Sequence, residues 1–169
     1  MRPLLAVALL VTGIAQARAA DPVGCDKFNW PIERERAALS APDLPKLATG
    51  ADMPAAPPAA VTLTLHPRDS ARLPKPSERN QKPDTFAGFV QFTPPTAGIY
   101  TVTLSDYAWV DGIQNDTYLK PTGSSGVRGC EGVRKSLKFE FGAAPVILQV
   151  SGVPKDEIRI AVMPAARSP

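Results

Sequence analysis

Histidine is almost absent from this sequence of 169 residues, where it occurs once, at His66. A zinc site built on several histidines, or an iron site of two histidines and a carboxylate, therefore cannot form within one chain. A hydrolase could use His66 with Ser70 or Asp69, but the sequence contains no G-x-S-x-G motif to present a nucleophilic serine. We therefore interpret His66, which precedes a proline at the end of a predicted strand, as an ordinary surface residue.

Long apolar segments are also lacking, since a membrane-spanning helix needs about 20 apolar residues in a row. One mostly apolar run, residues 4–14, follows Arg2 and leads into small residues. This order of positive charge, apolar run and small residues is typical of a cleavable signal peptide. We expect cleavage after Ala19 or Ala20, so that residues 1–20 form the signal peptide and the protein is periplasmic or secreted.

Cysteine occurs only at Cys25 and Cys130, and the absence of a C-x-x-C motif argues against a redox role. In an exported chain, two cysteines with none left over predict one disulfide. It would close a loop of about 105 residues and stabilise the fold by about 4–5 kcal/mol through loop-closure entropy. We expect its reduction to free a short N-terminal helix and mobilise residues 123–135, while the rest stays folded. A lipoprotein is the alternative for Cys25, although Pro22 and Val23 do not match a lipid-attachment signal.

A large excess of charge is absent as well. The formal net charge of the whole chain is +3, and it falls to +1 without Arg2 and Arg18 of the predicted signal peptide. Proteins that bind the phosphate backbone of nucleic acids carry clusters of excess positive charge. The composition therefore argues against nucleic acid as a partner.

What the sequence does contain, beyond Ala60, is alternation of apolar and polar residues with a period of two. This pattern is typical of strands with one buried face, and proline- and glycine-rich turns separate the segments. The sequence therefore predicts a mainly β fold, an antiparallel β-sandwich or jelly roll over residues 61–164 with a tail at 165–169. The predicted strands are 61–65, 86–92, 99–105, 107–113, 135–141, 145–151 and 157–162.

The residues before this domain divide into two parts. Residues 21–40 contain one short predicted helix, 28–39, with Pro31 in its first turn, where a missing N–H costs nothing. Residues 41–60 are rich in proline and alanine without periodicity, which predicts an extended linker.

Aromatic and polar residues cluster around the fourth predicted strand. If Ala108 and Val110 continue the buried face, Tyr107, Trp109 and Asp111 share the opposite face. Aromatic rings beside carboxylates and amides suit the binding of a sugar. The alternative is that Trp109 packs under the N-terminal helix. The predicted ligand-binding residues are Tyr107, Trp109, Asp111, Asn115, Asp116, Tyr118, Arg128, Arg134 and Lys135.

Calcium is an alternative ligand for the acidic residues of this stretch. Asp106, Asp111 and Asp116 provide the oxygen ligands that calcium prefers. Their spacing matches no loop that folds around one ion, and Asp and Asn are common in turns. We therefore predict no metal and no cofactor.

The glycine-rich segment 123–135 has two interpretations. Its backbone N–H groups, with Arg128, Arg134 and Lys135, could hold an anion. Otherwise it is a long loop that the disulfide at Cys130 fixes in place. It lacks the spacing of a phosphate-binding P-loop.

The run from Phe86 to Asp111 resembles secreted accessory β-sandwiches. FAGFVQF at 86–92, AGIYTVTLSD at 97–106 and AWVD at 108–111 are similar to segments of protective-antigen-type and pre-peptidase C-terminal domains. The resemblance implies a sandwich that a late pair of strands, within 145–162, completes.

A second resemblance rests on the sequence GCEGVRK at 129–135. It is similar to a family of small exported bacterial proteins with no established role, some of which are described as homogentisate dioxygenases. That activity would imply an iron site of two histidines and a glutamate, which a chain with His66 alone cannot provide.

These observations favour a non-catalytic exported module that binds a carbohydrate or another cell-envelope component. The alternative is a structural or interaction protein that contacts a protein partner through the proline-rich segment 41–60.

Overall fold

Strands dominate the part of the chain that the structure, a computed structural model, describes, residues 20–54 and 59–166. One α-helix, α1 (Glu33–Leu39), and two single 3₁₀ turns, Cys25–Lys27 and Arg68–Ser70, accompany them. The strands are β1 (Lys46–Leu47), β2 (Ala59–Thr64), β3 (His66–Pro67), β4 (Phe86–Phe92), β5 (Gly98–Leu104), β6 (Trp109–Gln114), β7 (Thr117–Leu119), β8 (Gly123–Gly126), β9 (Lys135–Phe141), β10 (Val146–Val153) and β11 (Glu157–Pro164).

The strands form two sheets. The larger sheet has the order β1-β2-β11-β5-β9-β8, and the smaller sheet has the order β3-β4-β10-β6-β7. Every pairing between these strands is antiparallel apart from β1 with β2. The predicted fold class, a mainly β antiparallel sandwich with one short helix, is confirmed.

Alternating side chains of the two sheets form the main core. Tyr100, Val102 and Leu104 of β5 are at most 1% exposed and pack with residues of both sheets. Two aromatic rings of β9 join them: the ring of Phe141 lies 5.5 Å from that of Tyr100 and 5.7 Å from that of Phe139. Each fully buried side chain of this kind stabilises the fold by about 1.5–3 kcal/mol. The alternation therefore accounts for the packing of the two sheets against each other.

The N-terminal segment covers the outer face of the larger sheet. Ile32 and Leu39 are buried against Ala161 and Met163 of β11 in a second, smaller core. The predicted disulfide is present, with the Cα atoms of its two cysteines 4.8 Å apart. The segment therefore attaches through apolar packing as well as through the covalent bond.

The helix is shorter than the predicted 28–39, because residues before Glu33 are held by contacts with the sheet. The backbone N–H of Asn29 donates to Oγ of Ser125 at 3.0 Å, and Nε1 of Trp30 donates to Oγ of Ser136 at 3.2 Å. These bonds hold residues 29 and 30 against strands of the larger sheet, outside the helix.

A long connection between β3 and β4, residues 68–85, covers the outer face of the smaller sheet. The backbone N–H of Lys75 donates to Oε1 of Gln149 at 2.9 Å. The hydroxyls of Ser77 and Ser151 lie 3.0 Å apart, at hydrogen-bonding distance. Polar side chains of the smaller sheet are therefore buried on the face that the sequence predicted to be open.

The proline-rich segment is packed over its described part, in place of the extended linker that we expected for 41–60. Strand β1 pairs with β2, and the backbone N–H groups of Gly50 and Met53 donate to carbonyls of β4 at 2.7 and 2.8 Å. The side chain of Met53 is 5% exposed. Backbone hydrogen bonds to sheet edges need no periodic side chains, so the composition did not reveal this packing. Residues 55–58 lie outside the described residues.

The predicted signal peptide also lies outside the described residues, apart from its last residue, Ala20. Within the described ranges, no helix has the length and apolar character to cross a membrane. Residues 167–169 of the predicted tail are likewise not described.

Candidate functional site

Trp109, the first residue of β6, lies at the end of the smaller sheet. Its Nε1 donates a 2.6 Å hydrogen bond to Oδ1 of Asp111, so the two side chains share the outer face, as the sequence predicted. Trp30, by contrast, bonds to Ser136 of the larger sheet. The alternative in which Trp109 packs under the N-terminal helix is therefore not what the structure shows.

Three cations surround Trp109 and the neighbouring Tyr107. Nζ of Lys135 lies 5.1 Å from the centre of the Tyr107 ring and 5.6 Å from that of Trp109. The guanidinium of Arg134 lies 5.3 Å from the Tyr107 ring, and that of Arg79 lies 5.5 Å from the Trp109 ring. These distances are those of cation–π contacts. We call these five residues the cation–aromatic cluster.

Lys135 is the most buried cation of this cluster, with 8% of its surface exposed. Its Nζ donates to the carbonyl of Ala108 at 2.8 Å, and no carboxylate of the described residues forms an ion pair with it. Burial, and then the positive charges of Arg79 and Arg134, lower the pKa of Lys135 to about 8. The ammonium is therefore largely shielded from water, lies close to two other cations and forms no ion pair with a described carboxylate.

A cavity of about 220 Å³ opens beside the two aromatic rings. It is smaller than the roughly 300–1,000 Å³ of typical small-molecule sites, and therefore suits one ring or end group of a larger ligand. Its lining is polar and cationic apart from the rings: Arg79, Asn80, Gln81, Lys82, Thr85, Tyr107, Trp109 and Gly152.

Asp111 lies beneath this surface and not on it, with 2% of its area exposed. Besides Trp109, its carboxylate accepts from Gln149, at 3.5 Å, and from Ser77 and the backbone of Glu78. Burial raises the pKa of Asp111, and these hydrogen bonds oppose the rise. Asp111 therefore orients Trp109 and anchors the covering connection, and a ligand in the cavity would meet the indole ring first.

Asn115, Asp116 and Tyr118 lie at the other end of β6. Five steps along the strand from Trp109 correspond to about 17 Å. Asn115 and Asp116 form the turn to β7 with φ values of 50° and 60°, and the Asp116 carboxylate pairs with Lys75 at 2.8 Å. The hydroxyl of Tyr118 donates to the carbonyl of Pro76. The structure thus divides the single predicted surface into two separate places.

Arg128 lies near the disulfide and not in the cluster. Its Nη2 donates to the carbonyl of Asp21 at 3.4 Å, while the Asp21 carboxylate pairs with Arg134 at 2.6 Å. The backbone N–H groups of Val127 and Arg128 donate to protein carbonyls, at 3.2 and 2.7 Å. This part of the glycine-rich segment therefore does not present those groups to an anion.

Arg79 is the member of the cluster that the sequence did not indicate. It lies in the connection 68–85, far along the chain from Tyr107, and no local motif marks it. The only available signal was the length of that connection, because long loops in a compact domain often carry function.

The groups considered for a hydrolase do not form a catalytic relay in the structure. His66 and Ser70 line a common cavity, but the Ser70 hydroxyl donates to the carbonyl of Pro67 at 3.0 Å. The Asp69 carboxylate pairs with the adjacent Arg68 at 2.9 Å.

The three aspartates considered for calcium are also apart. Asp106 pairs with Lys155 at 3.2 Å, Asp116 pairs with Lys75, and Asp111 is buried. Within residues 20–54 and 59–166, no three histidine, cysteine, aspartate or glutamate side chains are placed to hold a metal ion.

Comparison of the chain with family models, curated proteins and solved structures finds no match in any of the three. The resemblances noted from the sequence therefore stay predictions.

Proposed function

We propose that this protein is an exported, non-catalytic binding module for a carbohydrate or another cell-envelope component, with the cation–aromatic cluster as its binding surface. The observation that carries the proposal is the pair of rings at one cavity. Tyr107 is 47% exposed, and Trp109 lines the same cavity with one edge bonded to Asp111. A ring held in this way offers a fixed apolar platform to the face of a sugar.

Hydrogen-bonding groups surround this platform. Asn80, Gln81 and Thr85 line the cavity beside the rings, and amide and hydroxyl groups suit sugar hydroxyls. This combination of apolar face and convergent polar groups is the usual composition of a small-molecule site.

The test is binding to a glycan array and to isolated cell-envelope material. We expect Tyr107→Ala to weaken binding at least fivefold, which corresponds to about 1 kcal/mol. Ile99→Ala is the matched control, because Ile99 is also a large exposed apolar residue, at 48%, but lies outside the cluster. Equal binding by the wild type and by Tyr107→Ala would remove the site assignment.

The alternative function, contact with a protein partner through segment 41–60, gains less support. Residues 46–53 already use backbone groups to bond to both sheets. A partner that bound there would have to bind the packed form of the segment.

A further inference from the structure

We infer that the cation–aromatic cluster selects an anionic sugar, one that carries a carboxylate or phosphate group, over its neutral counterpart. This inference rests on the proposed function and names the ligand class of the same site. The sugar ring would lie against Tyr107 and Trp109, and its anionic group would face Arg79 and Lys135.

The charged residues that line the cavity are cations. Arg79 and Lys82 line it, and Arg134 and Lys135 contact the ring of Tyr107. Three acids close to the cluster are already engaged. Their partners are Arg134 for Asp21, Lys120 for Glu78, and Trp109 with Gln149 for Asp111.

The ammonium group of Lys135 has an incomplete set of hydrogen-bond partners. An ammonium group has three N–H donors, and buried lysines are ordinarily paired with a carboxylate. Among the described residues, Nζ of Lys135 has one acceptor, the carbonyl of Ala108. An anion beside the cluster would provide the missing charge and further acceptors.

The guanidinium of Arg79 faces the Trp109 ring at 5.5 Å, and no described residue accepts a hydrogen bond from it or pairs with it. Its N–H groups are therefore available for two parallel hydrogen bonds to a carboxylate or phosphate. Arg134 is less available, since it bonds to Asp21 and to the carbonyl of Val127.

The experiment uses pairs of sugars that share one sugar skeleton and differ in whether it carries a free anionic group. The probes are trigalacturonate with its methyl ester, and glucose 6-phosphate with glucose, each titrated by NMR into the intact disulfide-bonded protein. We expect the anionic member of at least one pair to bind tenfold or more tightly than its neutral counterpart. The pair that shows the preference distinguishes a carboxylate from a phosphate.

Two variants connect the preference to the cluster. In Arg79→Gln, we expect the preference for the anionic member to fall to less than threefold. Lys138→Gln is the control, because Nζ of Lys138 also contacts a tryptophan ring, at 4.6 Å from Trp30, but lies outside the cluster. It should leave the preference unchanged.

The outcomes separate the two proposals. Equal binding of both members of each pair, with loss of both in Tyr107→Ala, would overturn the charge selection and keep the proposed function. Absence of binding to all four probes, to the array and to envelope material would contradict the proposed function itself.

Discussion

The indole Nε1 of Trp109 donates a 2.6 Å hydrogen bond to Oδ1 of Asp111, two residues further along the same strand. The acceptor is a buried carboxylate, which also accepts from Gln149 and from the connection that covers the sheet. This one bond links the exposed surface to the polar layer below it. The stability of the fold and the orientation of the candidate site are therefore coupled.

Trp109→Phe tests that bond. The variant keeps an aromatic face but removes the donor to a buried carboxylate, and hydrogen bonds to charged groups contribute about 1.5–3 kcal/mol. We expect the free energy of unfolding, measured with urea, to fall by about 2 kcal/mol. Trp30→Phe is the matched control, because its Nε1 donates to the neutral Ser136 hydroxyl at 3.2 Å. Equal losses in the two variants would contradict a special role for the Asp111 carboxylate.

Asp111→Asn tests the pH dependence of the same group. Since burial raises the pKa of Asp111 above 3.8, the folded protein holds this proton more tightly than the unfolded chain does. The stabilisation is present in full below pH 3.8 and is lost as the pH rises through the folded-state pKa. Urea unfolding from pH 3 upwards should show wild type losing stability relative to Asp111→Asn. A difference that stays constant with pH would contradict this expectation.

Lys135→Met tests the buried ammonium, whose pKa is lowered from 10.5 to about 8. Between these values the unfolded chain binds a proton that the folded protein does not, so stability rises with pH. The contribution of Lys135 to the free energy of unfolding is therefore present in full above pH 10.5 and is lost as the pH falls through about 8.

Between pH 8 and 10.5, we expect the free energy of unfolding of the wild type to rise by up to about 3 kcal/mol relative to that of Lys135→Met. Unfolding measurements over this range on both proteins isolate Lys135 from other titrating groups. Lys138→Met, in the same strand but outside the cluster, serves as the control. If the two variants differ from wild type by pH-independent amounts, the argument for a poorly compensated Lys135 fails.

Removal of the disulfide in the double variant Cys25→Ser, Cys130→Ser should leave α1 attached to the larger sheet. The sequence predicted that reduction would free this helix. The structure leads us to expect otherwise, because Leu39 is fully buried and the Thr101 hydroxyl donates to Glu35 at 2.7 Å. Without the crosslink the unfolded chain regains conformational entropy. The free energy of unfolding should therefore still fall, by up to about 4–5 kcal/mol.

Hydrogen exchange resolves the two expectations. Amides of α1 should exchange at rates close to those of the larger sheet in the double variant. Rapid exchange of α1 alone, with the sheets still protected, would support the earlier expectation that the covalent bond holds the helix.

The interior of the sandwich was largely predictable. Each of the seven predicted strands overlaps a strand of the structure, because alternation with a period of two reports directly which side chains face the core. The short strands β1, β3, β7 and β8 were missed. They have at most four residues and pair mainly through backbone groups, which leave no side-chain pattern.

The candidate site was predictable only in part. Tyr107 and Trp109 were identified from the alternation of the predicted strand 107–113, and the structure places Arg134 and Lys135 beside them. Asp111 was expected on the surface, because a carboxylate on the outer face of a sheet ordinarily contacts water. The connection 68–85 buries it through Ser77 and Glu78.

By itself, the sequence determined the single disulfide, the mainly β class and the exclusion, within one chain, of metal sites built on two or more histidines, since these follow from counts and local periodicity. Only the tertiary structure decided that Arg79 meets Trp109, that Asp111 is buried and that residues 46–53 pack on the sheets. Periodicity describes which face of a strand is apolar. Which distant segment covers the other face depends on hydrogen bonds between residues far apart in the chain, and these leave no local pattern.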